Sequence, residues 1–411
     1  MTILEKLIQE LCPNGVGFKP LGELGTFYGG LSGKSKEDFK DGNAKFITYM
    51  NVFSNISLNL DVPDMVKIGE NERQNTVQYG DILFTGSSET PDECGMSSVL
   101  TKYTNDRLYL NSFCFGYRFR DADLILPSFA KYLFRSESLR KQIKKTASGV
   151  TRFNVSKKKM ENVIIPVPPL PVQREIVRIL DNFTELTAEL QEELQARKKQ
   201  YEYYKSNLLS FETRTPYKSL SDVADIFDSL HQTPEYIQSG FSMIRVQDIK
   251  GAYIDTENTL KVSKEVFSKF VKKYRPQKDD IVVSRVGSYG NFALVPDDDC
   301  CLGQNVAIIH PNICKRFLFY ILNYLEVKQW IDKNVKGASQ KSFSLADIRR
   351  IPIPVPSIEE QARIVAILDR FDALCNDLTS GLPAEIEARK KQYEYYRDKL
   401  LTFKEIGKHV I

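Results

Sequence analysis

Histidine and paired cysteine are scarce in this sequence of 411 residues, which contains three histidines and seven scattered cysteines. A structural zinc site needs clustered cysteine and histidine ligands, so none is expected here. An odd set of cysteines with no Cys-x-x-Cys pair is typical of reduced thiols in the cytosol. Residues 1–6 lack the core of a signal peptide, and no apolar run reaches the roughly 18 residues of a membrane helix. We therefore expect a cytoplasmic protein that is not inserted in a membrane.

Motifs for catalysis are also missing. Gly30 to Ser35 resembles the end of a phosphate-binding loop, but Tyr28 occupies the position of the first glycine in GxxxxGK[ST]. Gly287 to Gly290 is too short for a dinucleotide-binding turn and is more typical of a tight turn whose amides approach phosphate. The Asn/Asp-Pro-Pro-Tyr segment of amino-methyltransferases does not occur. These absences favour a protein that binds over one that catalyses.

A long internal repeat organises the chain. The nine residues ARKKQYEYY occur at 196–204 and again at 388–396, 192 positions later. Upstream, Ile165–Pro168 matches Ile353–Pro356 at a spacing of 188, so the second copy carries four additional residues near Thr379. Weaker matches join earlier segments, such as GDILF at 80–84 and DDIVV at 279–283. The sequence therefore predicts two copies of one unit, each a variable region followed by a helical region.

The helical regions carry apolar residues at spacings of three and four. From Val172 the apolar stripe continues to Leu194, with Tyr201, Tyr204 and Leu208 extending it, which predicts a helix of about 40 residues and roughly 60 Å. In the second copy Gly381 and Pro383 are expected to interrupt the helix. A narrow stripe on each long helix indicates antiparallel packing as a coiled-coil-like spacer, and two independent core helices are the alternative. The proline-rich segments 166–171 and 352–356 are expected to be extended.

The variable regions read as mixed α/β, because short β-branched or aromatic runs alternate with turn residues. These runs include 45–49, 81–85, 242–246 and 280–284. The predicted fold class is α+β, with two globular mixed α/β domains separated by two long antiparallel helices in an internal pseudo-twofold repeat. The predicted limits are 1–168 and 213–356 for the globular domains, and 169–212 and 357–411 for the helices.

Positive charge is concentrated in the variable regions, although the net charge is only +4. Segments 131–159, 261–278 and 315–350 are rich in lysine and arginine, with aromatic and small residues between them. Basic segments before both proline-rich segments predict contacts to DNA phosphates, although a single such run is usually only a solvated face. The candidate DNA contacts are Arg152, Lys157, Lys158, Lys159, Arg285, Ser288, Lys341, Arg349 and Arg350.

Two duplicated motifs resemble a known family. The IPxP lead with its QxxIVxILDxF continuation, and the helix ARKKQYEYYxxxLLxF, are similar to those of the DNA specificity (S) subunits of type I restriction–modification enzymes. The N-terminal segment Leu4–Gly15 is also similar to that family. The resemblance spans essentially the whole chain and identifies the globular domains as candidate target recognition domains.

The resemblance implies a role and a set of partners. Each recognition domain would read one half of a split site in double-stranded DNA, and the helices would dock two methyltransferase subunits, to which restriction subunits add. S-adenosylmethionine, ATP and magnesium would belong to those partners, with no cofactor and no catalytic residue in this chain. The candidate partner-binding residues are Arg197, Lys198, Tyr201, Tyr204, Arg389, Lys390, Tyr393 and Tyr396. A coiled-coil scaffold for proteins and an orphan DNA-binding regulator remain alternatives.

Overall fold

A computed structural model describes residues 2–211, 215–335, 341–377 and 379–407. The chain forms two compact units, each described by itself. Unit 1 comprises Met1–Gln191 together with Glu385–Ile411, and unit 2 comprises Glu192–Ala384. The predicted domain limits at 212, 213 and 411 lie outside the described residues.

Unit 1 contains short strands and helices before the first long helix. Its strands are β1 (Gly17–Pro20), β2 (Gly25–Gly29), β3 (Ala44–Ile47), β4 (Met65–Val66), β5 (Thr76–Val77), β6 (Ile82–Thr85), β7 (Ser87–Ser88), β8 (Ser97–Val99), β9 (Leu108–Leu110), β10 (Cys114–Phe119), β11 (Ala147–Ser148), β12 (Phe153–Val155) and β13 (Ile164–Val167). Its helices are α1 (Ile3–Leu11), α2 (Leu21–Leu24), α3 (Tyr49–Ser54), α4 (Pro127–Leu133), α5 (Glu137–Lys144) and α6 (Lys157–Met160). Helix α7 (Leu170–Leu209) begins in unit 1 and ends in unit 2.

Unit 2 repeats this order of elements. Its strands are β14 (Tyr217–Ser219), β15 (Ala224–Asp228), β16 (Phe241–Ile244), β17 (Leu260–Val262), β18 (Ile281–Ser284), β19 (Phe292–Leu294), β20 (Cys300–Leu302), β21 (Val306–Pro311) and β22 (Pro352–Pro354). Its helices are α8 (Leu220–Val223), α9 (Lys264–Phe270), α10 (Lys315–Leu322), α11 (Leu325–Asn334), α12 (Leu345–Arg349) and α13 (Ile358–Asn376). Helix α14 (Leu382–Leu400) lies mostly in unit 1. None of the helices described here is both long and apolar enough to cross a membrane.

The central sheet is the same in the two units. Its strand order is β2-β10-β6-β8 in unit 1 and β15-β21-β18-β19 in unit 2, antiparallel throughout. A second sheet in each unit contains one parallel pair, β3 with β9 and β16 with β20. Each unit also pairs its first strand with the strand that precedes a long helix, β1 with β13 and β14 with β22. The predicted mixed α/β repeat is confirmed, and the four predicted runs each contribute to a strand.

The long helices follow the apolar pattern closely. Helix α7 has 40 residues, as the stripe predicted, and the second helical region is interrupted between Asn376 and Leu382. A side chain at Gly381 would place its Cβ 2.4 Å from the carbonyl oxygen of Ala373, so the break admits only glycine there. One expectation was wrong: residues 166–171 are not all extended. Helix α7 begins at Leu170, because Pro171 lies in the first helical turn, where a missing N–H has no partner to lose.

Matched polar contacts attach the globular part of each unit to its long helix. The side chain of Gln173 accepts a hydrogen bond from the amide of Leu126, and Gln361 accepts one from the amide of Cys314. The Tyr132 hydroxyl donates to Asp181 at 2.6 Å, and the Tyr320 hydroxyl donates to Asp369 at 2.5 Å. Each residue in unit 2 lies 188 positions after its counterpart in unit 1. The repeat is therefore preserved in side-chain contacts as well as in strand order.

Candidate nucleic-acid interface

Surface 1 of unit 1 is formed where β7 pairs with β12, and it comprises Ser87, Phe113, Arg152 and the exposed lysines of α6. The Arg152 Nε donates to the Ser87 hydroxyl at 3.2 Å, and its guanidinium carbon lies 5.6 Å from the centre of the Phe113 ring. Arg152 is exposed, and Phe113 is 57% exposed although it is aromatic. An arginine over an exposed ring offers a charge for phosphate and a flat face for a base.

The lysines of α6 extend surface 1. Lys157, Lys158 and Lys159 are all exposed, and the hydroxyl of Ser156 caps the helix by accepting from the Lys159 amide. A Cβ built on Gly29 would lie 3.8 Å from the Lys157 ammonium, which places this cation beside the end of β2. The structure thus brings the four basic residues predicted in unit 1 near one another.

Surface 2 of unit 2 occupies the equivalent place and comprises Asp228, Arg285, Ser288, Tyr289 and Lys341. The Arg285 Nη1 donates to Asp228 Oδ1 at 2.5 Å, and its Nε donates to the carbonyl oxygen of Phe343 at 3.2 Å. The exposed Lys341 ammonium lies 3.4 Å from the Tyr289 hydroxyl. Ser288 is exposed, and its carbonyl accepts from the Ser284 hydroxyl at 2.5 Å.

Arg349 and Arg350 of unit 2 do not correspond to the lysines of α6. Ser156 and Ser344 cap α6 and α12 in the same way, so Leu345 is the counterpart of Lys157. Arg349 and Arg350 therefore correspond to Glu161 and Asn162, at the far end of the helix. Both arginines are exposed, and Arg350 forms an ion pair with Asp347. The two surfaces consequently carry their charge at different points of the same fold.

The ARKKQYEYY segments of the long helices divide into a packed face and an exposed face. In unit 2 the ring of Phe371 stacks with those of Tyr201 and Tyr204 at 6.0 and 5.3 Å between centres. Tyr201 is only 7% exposed, so its selection as a partner contact is corrected: its ring is a core residue. Tyr204 is 39% exposed beside that contact.

The second copy of the segment, in unit 1, has the same division. The ring of Tyr396 stacks on Phe183 at 5.4 Å between centres, and Tyr393 is partly buried against Tyr132 at 6.2 Å. Arg389 contacts Glu385 and Gln392 within its own helix, just as Arg197 contacts Glu193 and Gln200 in α7. Lys198 and Lys390 are exposed.

Two exposed tyrosines on the long helices were missed by the sequence reasoning. Tyr203 is 64% exposed and Tyr395 is 61% exposed, at the same place in the two segments. The signal was available, because both fall outside the apolar stripe while their neighbours continue it. Tyr203 and Tyr395 lie one helical turn after the exposed Lys199 and Lys391, which gives each segment an outer face with both apolar and charged groups, suited to a protein partner.

Two other kinds of site, a metal centre and a phosphate loop, depend on residues outside the two surfaces. Over the described ranges, no three His, Cys, Asp or Glu side chains cluster so as to hold a metal ion. Lys34, in the segment that resembles a phosphate loop, donates to Glu72 at 2.5 Å and to the carbonyl oxygen of Lys67 at 2.6 Å. Its ammonium is therefore engaged within unit 1.

Comparison with known proteins gives consistent matches. The chain is 37% identical over 265 residues to the EcoR124I/EcoR124II specificity subunit of Escherichia coli, a match that covers 61% of this chain and 64% of that subunit. A putative type I specificity subunit of Mycoplasma pneumoniae is 30% identical over 348 residues, covering 80% of this chain and 90% of the relative.

Solved structures share the fold. A chain from a type I restriction–modification system assembly aligns with a TM-score of 0.61 at 18% identity, covering 95% of this chain and 98% of that one. The HsdS subunit from Thermoanaerobacter tengcongensis aligns with a TM-score of 0.53 at 19% identity, covering 95% and 97%. The family model for the type I restriction modification DNA specificity domain matches residues 13–197 and again residues 217–388. With both copies matched over most of the sequence, the chain belongs to the type I restriction–modification DNA specificity family.

Proposed function

We propose that this chain is the DNA specificity subunit of a type I restriction–modification complex, in which each unit reads one half of a bipartite site. The observation that carries the proposal is a conserved scaffold with unlike surfaces. Gln173 and Asp181 have identical counterparts in unit 2, whereas Gly29 and Gly86 are replaced there by Asp228 and Arg285. Two recognition domains with the same fold but different surfaces are suited to a bipartite DNA site whose two halves differ in sequence.

Phosphate contacts supply most of the affinity in this proposal. Arg152 and the three lysines of α6 give surface 1 four exposed cations. Each neutralised phosphate adds roughly 0.9 to the slope of log affinity against log salt concentration, so these cations hold the duplex without reading it. Sequence is read by the groups that reach base edges between those contacts.

The long helices carry the protein partners. We propose that the exposed faces around Tyr203 and Tyr395 dock two methyltransferase subunits, since the same nine residues are presented once in each copy. Restriction subunits add to that assembly. S-adenosylmethionine, ATP and magnesium belong to the partners, and this chain neither methylates nor cleaves DNA by itself. Turnover by the purified chain, free of partners, would overturn that last statement.

The experiment that tests the proposal lengthens α7. The boundary between the units falls after Gln191, directly behind the segment Thr187–Leu190. Inserting a second Thr-Ala-Glu-Leu after Leu190 adds about 6 Å of helix and roughly one turn, which nearly preserves the apolar phase. Because DNA rises about 3.4 Å per base pair, the unread gap between half-sites should grow by one or two pairs.

Mapping methylated sites with the partner subunits present measures both the gap and the half-sites. The bases read in each half should stay the same, because neither surface is altered. An insertion of Ala-Ala-Ala-Ala at the same place is the matched control and should give the same gap, since length and not sequence is at issue. A gap that stays fixed, or half-sites that change, would contradict the proposal.

A further inference from the structure

Arg285 is held firmly through both its main chain and its side chain. Its amide donates to the carbonyl oxygen of Asn305 at 2.9 Å, and its own carbonyl accepts from the Phe343 amide at 2.7 Å. Its side chain donates to Asp228 and to the Phe343 carbonyl oxygen. Main chain and side chain are thus each fixed at two points. By comparison, the side chain of Arg152 on surface 1 makes one hydrogen bond to the described residues, to the Ser87 hydroxyl.

Asp228, which holds Arg285, is itself fixed. It is the last residue of β15, where it lies opposite Ala307 of β21. Its Oδ1 accepts from the Ser229 amide at 3.0 Å, and its Oδ2 lies 3.2 Å from Nε2 of His231. A carboxylate anchored by its own strand cannot follow the arginine, so it sets the plane and position of the guanidinium.

The guanidinium of Arg285 keeps an unused edge. Two of its nitrogens donate as described, and Nη2 donates to none of the residues that the structure describes. The side chain stays 15% exposed. An arginine carries five N–H groups in a rigid fork, so at least three remain for a ligand. One oriented, partly exposed fork is the geometry that pairs with O6 and N7 of guanine.

Two structural arginines in the same chain, Arg135 and Arg316, differ from Arg285. Arg135 directs all three nitrogens to Met96 and to four carbonyl oxygens, and burial lowers its pKa to about 10. Arg316 uses all three nitrogens on Asp369 and two tyrosine hydroxyls. Arg135 and Arg316 thus use all three guanidinium nitrogens within the fold, whereas Nη2 of Arg285 donates to none of the described residues.

The equivalent place in unit 1 supports a reading role over a scaffold role. The counterparts of Asp228 and Arg285 are Gly29 and Gly86, so the same strands close without this ion pair. A Cβ at Gly86 would lie 2.7 Å from the Phe113 carbonyl oxygen, so unit 1 has no room for the arginine. The pair is an addition to one surface, as expected of a group that distinguishes the two half-sites.

We infer that Arg285 is a specificity-determining residue that reads a guanine in the half-site of unit 2, with Asp228 as its positioning residue. This inference rests on the proposed function. Arginine and lysine are not equivalent here, because lysine keeps the charge but loses the planar fork. The role therefore predicts a loss of base preference without a loss of charge.

The test uses the complex with its methyltransferase subunits and a library of duplexes randomised over both half-sites. Arg285→Lys should relax the preference at one base pair of one half-site by about 5- to 150-fold, with the other half-site and the salt slope unchanged. Asp228→Asn should relax the same base pair to a smaller extent, since an amide still accepts a hydrogen bond but holds the arginine less firmly.

Arg316→Lys is the matched control, because it makes the same change at a saturated arginine of the same unit. It should lower stability and leave every base preference as it was. Circular dichroism establishes whether each variant is folded. If Arg285→Lys does not fold, the base preference of Asp228→Asn decides the test. Half-sites read unchanged by both surface variants would overturn the inference and leave the proposed function standing. A wild-type complex with no bipartite preference would overturn both.

Discussion

The two units share the contacts that attach each globular part to its long helix, but their exposed surfaces differ. Helix attachment through Gln173 and Asp181 is reproduced 188 positions later, down to the donor and acceptor of each hydrogen bond. Surface 1 instead carries exposed lysines and a ring under an arginine, whereas surface 2 carries an arginine held by a carboxylate. A duplicated fold can therefore diverge in what it recognises while the part that joins the recognition domain to its helix stays fixed.

Buried carboxylates show an intermediate degree of divergence. Asp81 and Asp280 are fully buried at equivalent places in the central sheet. Asp81 is paired with Arg118 at 2.6 Å, while Asp280 lies 2.8 Å from His310 and 2.9 Å from Lys315. The carboxylate has been kept while its cation has changed, which indicates that the charge is satisfied by each unit independently.

The largest expected effect comes from removing those carboxylates. Asp81→Ala and Asp280→Ala should each destabilise their own unit by about 3 kcal/mol, because each leaves buried or half-buried cations and donors without a partner. Hydrogen exchange read by mass spectrometry should show faster exchange in unit 1 for the first variant and in unit 2 for the second. The exposed Asp61→Ala is the control and should change neither unit. Equal loosening of both units would show that they do not fold separately.

The second prediction concerns the salt dependence of DNA binding. Replacing Arg152, Lys157 and Lys158 with alanine should lower the salt slope by roughly 2.7, if each contacts one phosphate. A triple replacement of Lys341, Arg349 and Arg350 in unit 2 should lower the slope by only about 1.8, because Asp347 already neutralises Arg350. Filter binding or fluorescence anisotropy at about 50 to 200 mM salt measures both slopes. Unchanged slopes in folded variants would show that these charges are merely solvated.

A smaller loss of stability is expected from removing the hydrogen bond that joins each globular part to its long helix. Burial and the neighbouring carboxylate raise the pKa of both Tyr132 and Tyr320, so each hydroxyl stays protonated and donates. Tyr132→Phe and Tyr320→Phe should each cost about 1 kcal/mol in urea unfolding, since the acceptors are partly exposed and keep a cation. Tyr203→Phe, at an exposed ring, should cost nothing measurable. A large difference in destabilisation between the two variants would mean that the two hydrogen bonds differ in strength although their lengths are similar.

The smallest expected effect is a dependence of the stability of unit 1 on acid pH, through Glu72. Hydrogen bonds from the Gly69 amide, then from Lys34 and Gln74, lower the pKa of Glu72 from 4.5 to about 2. Because the folded pKa lies below the unfolded one, this contribution is complete above about pH 4.5 and is lost as the pH falls towards 2. Glu72→Gln should therefore make the melting temperature less dependent on pH between about 2 and 4.5. Above that range the variant should be less stable than the wild type by an amount that does not change with pH. An identical acid profile for both proteins would exclude the effect.

Much of the scaffold follows from the sequence, because it depends on local patterns. The spacing of apolar residues predicts α7 over nearly its full length, and Gly381 and Pro383 predict the break in the second helical region. The same stripe includes Tyr201, so periodicity was the better guide to that ring than its place in a repeated motif. The expectation that residues 166–171 are all extended was wrong, because a proline is tolerated in the first turn of a helix.

The surfaces follow from the sequence only in part. The basic segments include the cations of surface 1 and Lys341 of surface 2, but no local pattern links Asp228 to Arg285, which lie 57 positions apart. Sheet order brings them together, since β15 and β18 both pair with β21. Charge alone likewise does not align α12 with α6, whereas the capping serines Ser156 and Ser344 fix the register.

Unit 1 is built from both ends of the described chain, and this arrangement governs the order in which the protein can fold during synthesis. The Val16 amide donates to the carbonyl oxygen of Lys404 at 2.8 Å, and Leu401 is 4% exposed in the core of unit 1. The ribosome releases all of unit 2 before those residues emerge. Unit 1 therefore begins to emerge before unit 2 but is completed after it, and its core lacks Leu401 until that residue is synthesised.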